Sequence, residues 1–173
     1  YRPDAFLEAY PNEHIATTPY QVAVESEPLG TAGAIRFAVE QFQLTETFLV
    51  LNGDVLTDLD IRALVEFHRD VQAEATIALQ PVDDPSSFGV VTTDNRGRVE
   101  AFIEKPEKGS APSNNINAGT YVLEPSAVEQ IPQGRPVSVE RETFPELAAK
   151  GTLYALPSAT YWLDTGTPRQ FIQ

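Results

Sequence analysis

The chain has 173 residues, 42% of them hydrophobic, enough for one domain with a substantial core, and its longest apolar runs, such as FLVL from Phe48, are too short to span a membrane. Asp and Glu outnumber Lys and Arg 25 to 12, a formal net charge of −13, which argues against nucleic acid or an anionic membrane as partner. The absence of Cys excludes a disulfide framework or thiolate metal site, and with no basic-then-apolar leader the expected location is cytoplasmic.

The first strand expected is 20–25 (YQVAVE), where apolar and polar residues alternate. A helix follows over about 32–42, with Ile35, Ala38, Val39 and Phe42 at helical spacing. Next come a strand at 47–51 (TFLVL), a helix over about 60–71 with Ile61, Leu64, Val65 and His68 on one face, and a strand around 75–82. This βαβαβ order is that of a layered α/β domain. GVVTTD and VEAFIEKP then form a hairpin turning at 94–97, and KPEKGSAPSNN is a surface loop. A strand at 118–123, a short helix from Pro125, a Pro/Gly-rich loop at 131–136 and a helix near 139–150 closed by Gly151 follow. Strands TLYALP and TYWL lead to Thr167 and Pro168, an N-cap with proline at the first helical position.

Two aspartates stand just past apolar strands: Asp54 in LNGDV and Asp164 in YWLDTGTP. A strand running into Asn52, Gly53 and Asp54 aims its carboxylate at the crevice where open α/β sheets bind ligands. Oxygen ligands of this type, few in number and without Cys or His nearby, suit Mg²⁺ holding a substrate's phosphates better than zinc. Taken singly, each aspartate is as well explained as a turn or helix-initiating residue. Asp58 and Asp60 are read as turn and cap residues of the next helix, and His68 as an ordinary surface or boundary residue.

With LNGDV, EPLGTAGA, FIEKP, NAGTYVL, SVERETFP and YWLDTGTP in this order, the sequence from about Glu25 to Phe171 resembles the sugar-1-phosphate nucleotidyltransferases. It is most like the branch that joins GTP and mannose 1-phosphate into GDP-mannose and pyrophosphate. The resemblance implies a Rossmann-like α/β fold, a layered mixed sheet flanked by helices, with residues 1–173 part of a single catalytic domain. It implies Mg²⁺ as cofactor, with Asp54 and Asp164 as its ligands, and a nucleoside triphosphate, GTP favoured, and a sugar 1-phosphate as partners. Lys105 would be the catalytic cation on the sugar phosphate, oriented by Glu104. The nucleotide would meet Glu27, Pro28, Leu29, Gly30, Thr31, Ala32 and Gly33, together with Asn52 and Gly53. In that loop Gly30 and Gly33 would admit a base or ribose to the backbone and Thr31 would cap the helix. The sugar would meet Gly89, Glu104, Asn117, Gly119 and Glu140, while Arg141 could pair with Glu140 or with a phosphate. The nucleophile, a phosphate oxygen, is already an anion at neutral pH, so no general base is required and catalysis reduces to positioning and charge neutralisation.

The family's N-terminal glycine-rich loop, with its Arg and following Pro-Lys segment, is absent from the sequence, as is any Met. The chain therefore reads as an excerpt, incomplete at the N-terminus, with 1–10 resembling the connection and helix after the family's second strand. The polypeptide alone is expected not to turn over at a normal rate, and strand edges left unpaired would invite aggregation or self-association into a homo-oligomer. Rival readings are guanylyl transfer to a heptose 1-phosphate, thymidylyl or uridylyl transfer to glucose 1-phosphate, and a regulatory homologue that binds nucleotide sugar without catalysis. A metal-dependent glycosyltransferase is disfavoured because Asp58-Leu59-Asp60 has DxD spacing but lies at a helix start.

Overall fold

The fold is seen in a computed structural model, which describes residues 3–11 and 14–172 apart from the side chain of Arg169. Helix α1 (Pro3–Ala9) precedes a short ladder of β1 (His14–Ile15) and β2 (Thr18–Pro19), and Tyr1 and Arg2 of the predicted first segment lie outside the described residues. Helix α2 (Gly30–Phe42), β3 (Phe48–Leu51), β4 (Val55–Thr57), α3 (Ile61–Val71) and β5 (Ala75–Pro81) follow. Then come the hairpin β6 (Gly89–Thr93) and β7 (Val99–Glu104), strand β8 (Asn115–Leu123) and helix α4 (Pro125–Glu129). A π-helical turn (Val139–Thr143) runs into α5 (Phe144–Lys150), and β9 (Leu153–Pro157), β10 (Trp162–Asp164) and α6 (Pro168–Phe171) complete the order.

The main sheet has the order β7-β6-β8-β5-β9, with β3 also on β8. Strand β8 is its axis: β5 runs antiparallel along one edge, while β3 and β6 share the other, β3 opposite Thr120 to Leu123 and β6 opposite Ile116. Strand β9 adds to β5 in parallel, so the sheet is mixed. Period-two alternation sends Ile77, Leu79, Tyr121 and Leu123 to one face, where Val128, Ile131, Phe144 and Leu147 from the α4 and α5 region cover them. Ala78, Ala118 and Val122 face the other way, against Leu64 of α3 and Trp162. Burial on both faces is why β5 and β8 read as nearly continuous apolar runs.

The segment 20–25 is not a strand in the structure. Alternation sets which side chains share a face, but a strand also needs a neighbour to complete its backbone hydrogen bonds, and none of the described strands pairs with this segment. It is held instead by Tyr20, whose hydroxyl donates to the Tyr10 carbonyl and whose ring meets Phe6 edge-on at 5.3 Å. Other boundaries move by a few residues: α2 begins at Gly30, and β8 begins at Asn115. The caps behave as expected, Asp60 accepting from Ala63 N–H at 3.0 Å and Thr167 from Gln170 N–H at 3.3 Å.

Candidate functional site

Where β3 ends, Asn52 N–H donates to the Gly119 carbonyl at 2.8 Å and moors the LNGD turn on the central strand. Strand β4 then pairs with β10, placing Asp164 opposite Val55. Thr165, 111 residues further along the chain, donates to the Asp54 carbonyl from both its backbone N–H (2.7 Å) and its hydroxyl (2.8 Å). The predicted pair, Asp54 and Asp164, is thus brought together. A Cβ on Gly166 would lie 2.9 Å from Asp54 Oδ2 and 3.0 Å from Asp164 Oδ1, so the two carboxylates face one small volume that a side chain there would fill. Asp164 Oδ1 accepts from Gly166 N–H at 2.8 Å, whereas the Asp54 carboxylate has no hydrogen bond or ion pair among the described residues. Two facing carboxylates with open lone pairs are the donor set of a hard divalent cation that fills its other positions with water or phosphate oxygens. No group of three or more His, Cys, Asp and Glu converges among the described residues.

A second cluster lies where β6, β7 and the π-helical turn meet. Gly89 is registered opposite Glu104, and a Cβ on it would stand 2.7 Å from the Phe102 ring and 3.1 Å from Glu104 Oε2. Burial, and then the neighbouring charge of Glu140, hold the Glu104 carboxyl above its ordinary range against the opposing pull of Lys105 and Arg141. Lys105 leaves the strand in the left-handed region (φ +49), with its ammonium 3.9 Å from Glu104. Its side chain is exposed, a cation turned to solvent beside a crowded acid pair. Glu140 accepts at Oε2 from Ser138 (2.8 Å) and Thr31 (3.0 Å) hydroxyls.

Strand β8 links the two clusters. Asn117 Oδ1 accepts from Gly119 N–H at 3.0 Å, and its Nδ2 donates to the Tyr121 hydroxyl at 2.9 Å. Because a backbone N–H can only donate, this bond fixes which way the amide points. Tyr121 is buried, and that burial pushes its phenol up, beyond the reach of ordinary pH, with Glu140 and Glu104 adding to the effect. Gly119 has φ +75 and packs so closely on Asn52 that a Cβ would come within 2.7 Å of its amide nitrogen, a place only glycine fills without strain.

The loop 27–33 departs from expectation in detail. A Cβ on Gly30 would meet the Val137 carbonyl at 2.6 Å, and one on Gly33 would meet Leu29 Cβ at 2.8 Å. The close approach these glycines allow is to the protein's own chain. Ala32 N–H also donates to that Val137 carbonyl (2.9 Å), and Ala32 and Gly33 are buried. Leu29, not Thr31, takes the N-cap position; Thr31 lies inside the first turn and makes no cap bond. Glu27 and Pro28 remain exposed, and Gly53 has open space around it. His68 is no boundary residue: it is 1% exposed, bonded to Thr76 (2.8 Å) and Glu124 (3.1 Å). Sequence reading missed Ser138, Tyr121, Thr165 and Gly166. The last two were visible as the TG of DTGTP, while Ser138 and Tyr121 became informative only through bonds to residues already singled out.

An α/β sheet with two acidic clusters at its strand ends defines a class, and the comparisons agree with it: the nucleotidyl transferase family matches residues 3–173, and the chain belongs to that family. Among curated proteins it is 42% identical over 175 residues to a mannose-1-phosphate guanylyltransferase of Mycobacterium tuberculosis (strain ATCC 25618 / H37Rv), covering 100% of this chain and 48% of that one. Mannose-1-phosphate guanylyltransferase 1 of Arabidopsis thaliana is 44% identical over 151 residues, 86% of this chain and 41% of that protein. The chain spans about half the length of the curated relatives it matches. Among solved structures, HddC from Yersinia pseudotuberculosis superposes with a TM-score of 0.82 at 28% identity, covering 99% of this chain and 72% of that one. HddC complexed with GMP-PN gives 0.81. The family and the layered fold expected from the motif series are borne out.

Proposed function

We propose that the protein carrying this chain transfers a guanylyl group from GTP to mannose 1-phosphate, giving GDP-mannose and pyrophosphate. The observation that carries the reading is the convergence of Asp54 and Asp164 over Gly166 in a chain similar throughout to mannose-1-phosphate guanylyltransferases. A complex of the structural relative HddC with GMP-PN supports a guanine nucleotide.

Asp54 and Asp164 would hold Mg²⁺, which would supply positive charge to offset that of the phosphates. Lys105, its side chain exposed, would set its ammonium beside the sugar phosphate. Glu140 keeps Oε1 clear of the hydroxyls on Oε2 and offers it to sugar hydroxyls, while Asn117 presents an amide of fixed orientation. Gly89 and Gly119 let Phe102 and Asn52 close up against the strands that frame the sugar, and Glu104 backs Lys105. Glu27 and Pro28, exposed ahead of α2, meet the base; Leu29, Gly30, Ala32 and Gly33 shape that surface from behind, and Asn52 and Gly53 carry the turn beneath it. With His68 engaged in internal bonds, no imidazole is assigned to proton transfer, as suits a nucleophile already anionic. No described helix is long and apolar enough to cross a membrane, and the same reading takes the protein to be cytoplasmic.

The test is pyrophosphate release by the full-length protein with Mg²⁺, crossing GTP, dTTP, UTP and ATP with mannose, glucose and heptose 1-phosphates. Release confined to GTP with mannose 1-phosphate supports the assignment. Release with another pair reassigns the substrates, and release with none rejects nucleotidyl transfer.

A further inference from the structure

Thr31 lies in the segment expected to read the nucleotide, yet its hydroxyl is committed elsewhere. Oγ1 accepts from Val139 N–H at 2.8 Å and donates to Glu140 Oε2 at 3.0 Å, across 109 residues of sequence. Val139 N–H opens the π-helical turn, where backbone donors lack a partner within the turn itself, and Thr31 supplies one from another element. Ser138, the cap of that turn, donates to the same Oε2 at 2.8 Å while accepting from Arg141 N–H at 3.2 Å. Both hydroxyls therefore converge on one oxygen of Glu140 and leave Oε1 as its open lone-pair face.

A hydroxyl has one proton to give, and here it is given to Glu140. Resting on the proposed function, we infer that Thr31 is a positioning residue for the sugar-binding carboxylate and not a reader of the nucleotide. It ties the first turn of α2 to the turn carrying Glu140, so the loop beside the nucleotide and the carboxylate beside the sugar move together.

Three variants of the full-length protein test this. Thr31→Val keeps the branched shape and removes the hydroxyl with both its bonds; KM for the sugar 1-phosphate rises about five-fold, the scale of the one lost to Glu140, while KM for GTP stays within about two-fold. Thr31→Ser restores the hydroxyl and returns the sugar KM to within about two-fold of wild type. Thr31→Val in a Glu140→Ala background adds little further, because the acceptor it orients is gone. A rise in KM for GTP instead, no rescue by Ser, full multiplication of the two single effects, or a lowered unfolding midpoint with unchanged sugar KM each overturns the inference. Wild-type turnover with an unaltered sugar KM in Thr31→Val rejects this inference alone. Absence of turnover from the wild type with any sugar 1-phosphate rejects the proposed function and this inference with it.

Discussion

Glu124 and Asp54 sit at opposite ends of the β3–β8 pair, one after the last residue of β8 and the other three residues beyond β3. Glu124 accepts from the Thr47 hydroxyl at 2.6 Å and bonds His68 at 3.1 Å, and His68 in turn reaches Thr76 at 2.8 Å. Burial works against that carboxylate, yet the Thr47 and His68 bonds outweigh it and hold its pKa below the ordinary value. Asp54 has no such partners among the described residues, and its carboxylate faces that of Asp164 across the space over Gly166. Both ends have strand-terminal acids, but at one end the carboxylate is drawn through Oε1 into bonds with Thr47 and His68, and at the other the Asp54 carboxylate has no partner among the described residues. Bonds to internal neighbours mark a polar cluster as part of the scaffold; open convergence marks it for a ligand.

The contrast breaks most decisively through the aspartates. Asp54→Asn and Asp164→Asn should each lower pyrophosphate release by on the order of 100-fold or more, with unfolding midpoints close to wild type, in a magnesium-titrated assay. His68→Ala should do the reverse, lowering stability by about 2–4 kcal/mol in urea unfolding through the cavity and the unpaired Thr76 hydroxyl. Kinetic constants measured where that variant is folded should stay near wild type. Gly119→Ala touches both properties: it forces a left-handed alanine against Asn52 and should cost about 1–3 kcal/mol, with reduced turnover from a displaced LNGD turn.

The smallest effect lies in pH dependence, where the two acidic regions carry opposite signs. Glu124, depressed from 4.5, contributes stability fully present above that value and lost as pH falls through its folded-state pKa, so Glu124→Gln should flatten the acid limb of a melting-temperature profile. Glu104, raised from 4.5 by burial and by Glu140, makes folding less favourable as pH rises through that window, so Glu104→Gln should gain stability on the neutral side. Equal slopes in both variants would contradict the opposite shifts of the two carboxyls.

Helices and most strands could be read from periodicity because caps and apolar spacing are local: Asp60 and Thr167 act as the sequence indicates. The segment 20–25 could not, because a strand is completed by a neighbour its own residues do not specify. The pairing of Asp54 with Asp164 was anticipated from motif order, since each follows an apolar strand. At the glycines of the 27–33 loop a missing Cβ announces close approach without saying to what, and the neighbours are the Val137 carbonyl at Gly30 and Leu29 Cβ at Gly33. Thr31 and His68 were misread for the same reason: hydroxyl and imidazole partners come from elements remote in sequence.

The ladder of β4 with β10 has a consequence in time as well as space. It closes a loop of more than a hundred residues, so it is among the more entropically demanding contacts in the chain. A nascent polypeptide emerging from the ribosome therefore has Asp54 long before it has Asp164. A cation held by both carboxylates would act as a clasp on that closure, stabilising the folded molecule by mass action.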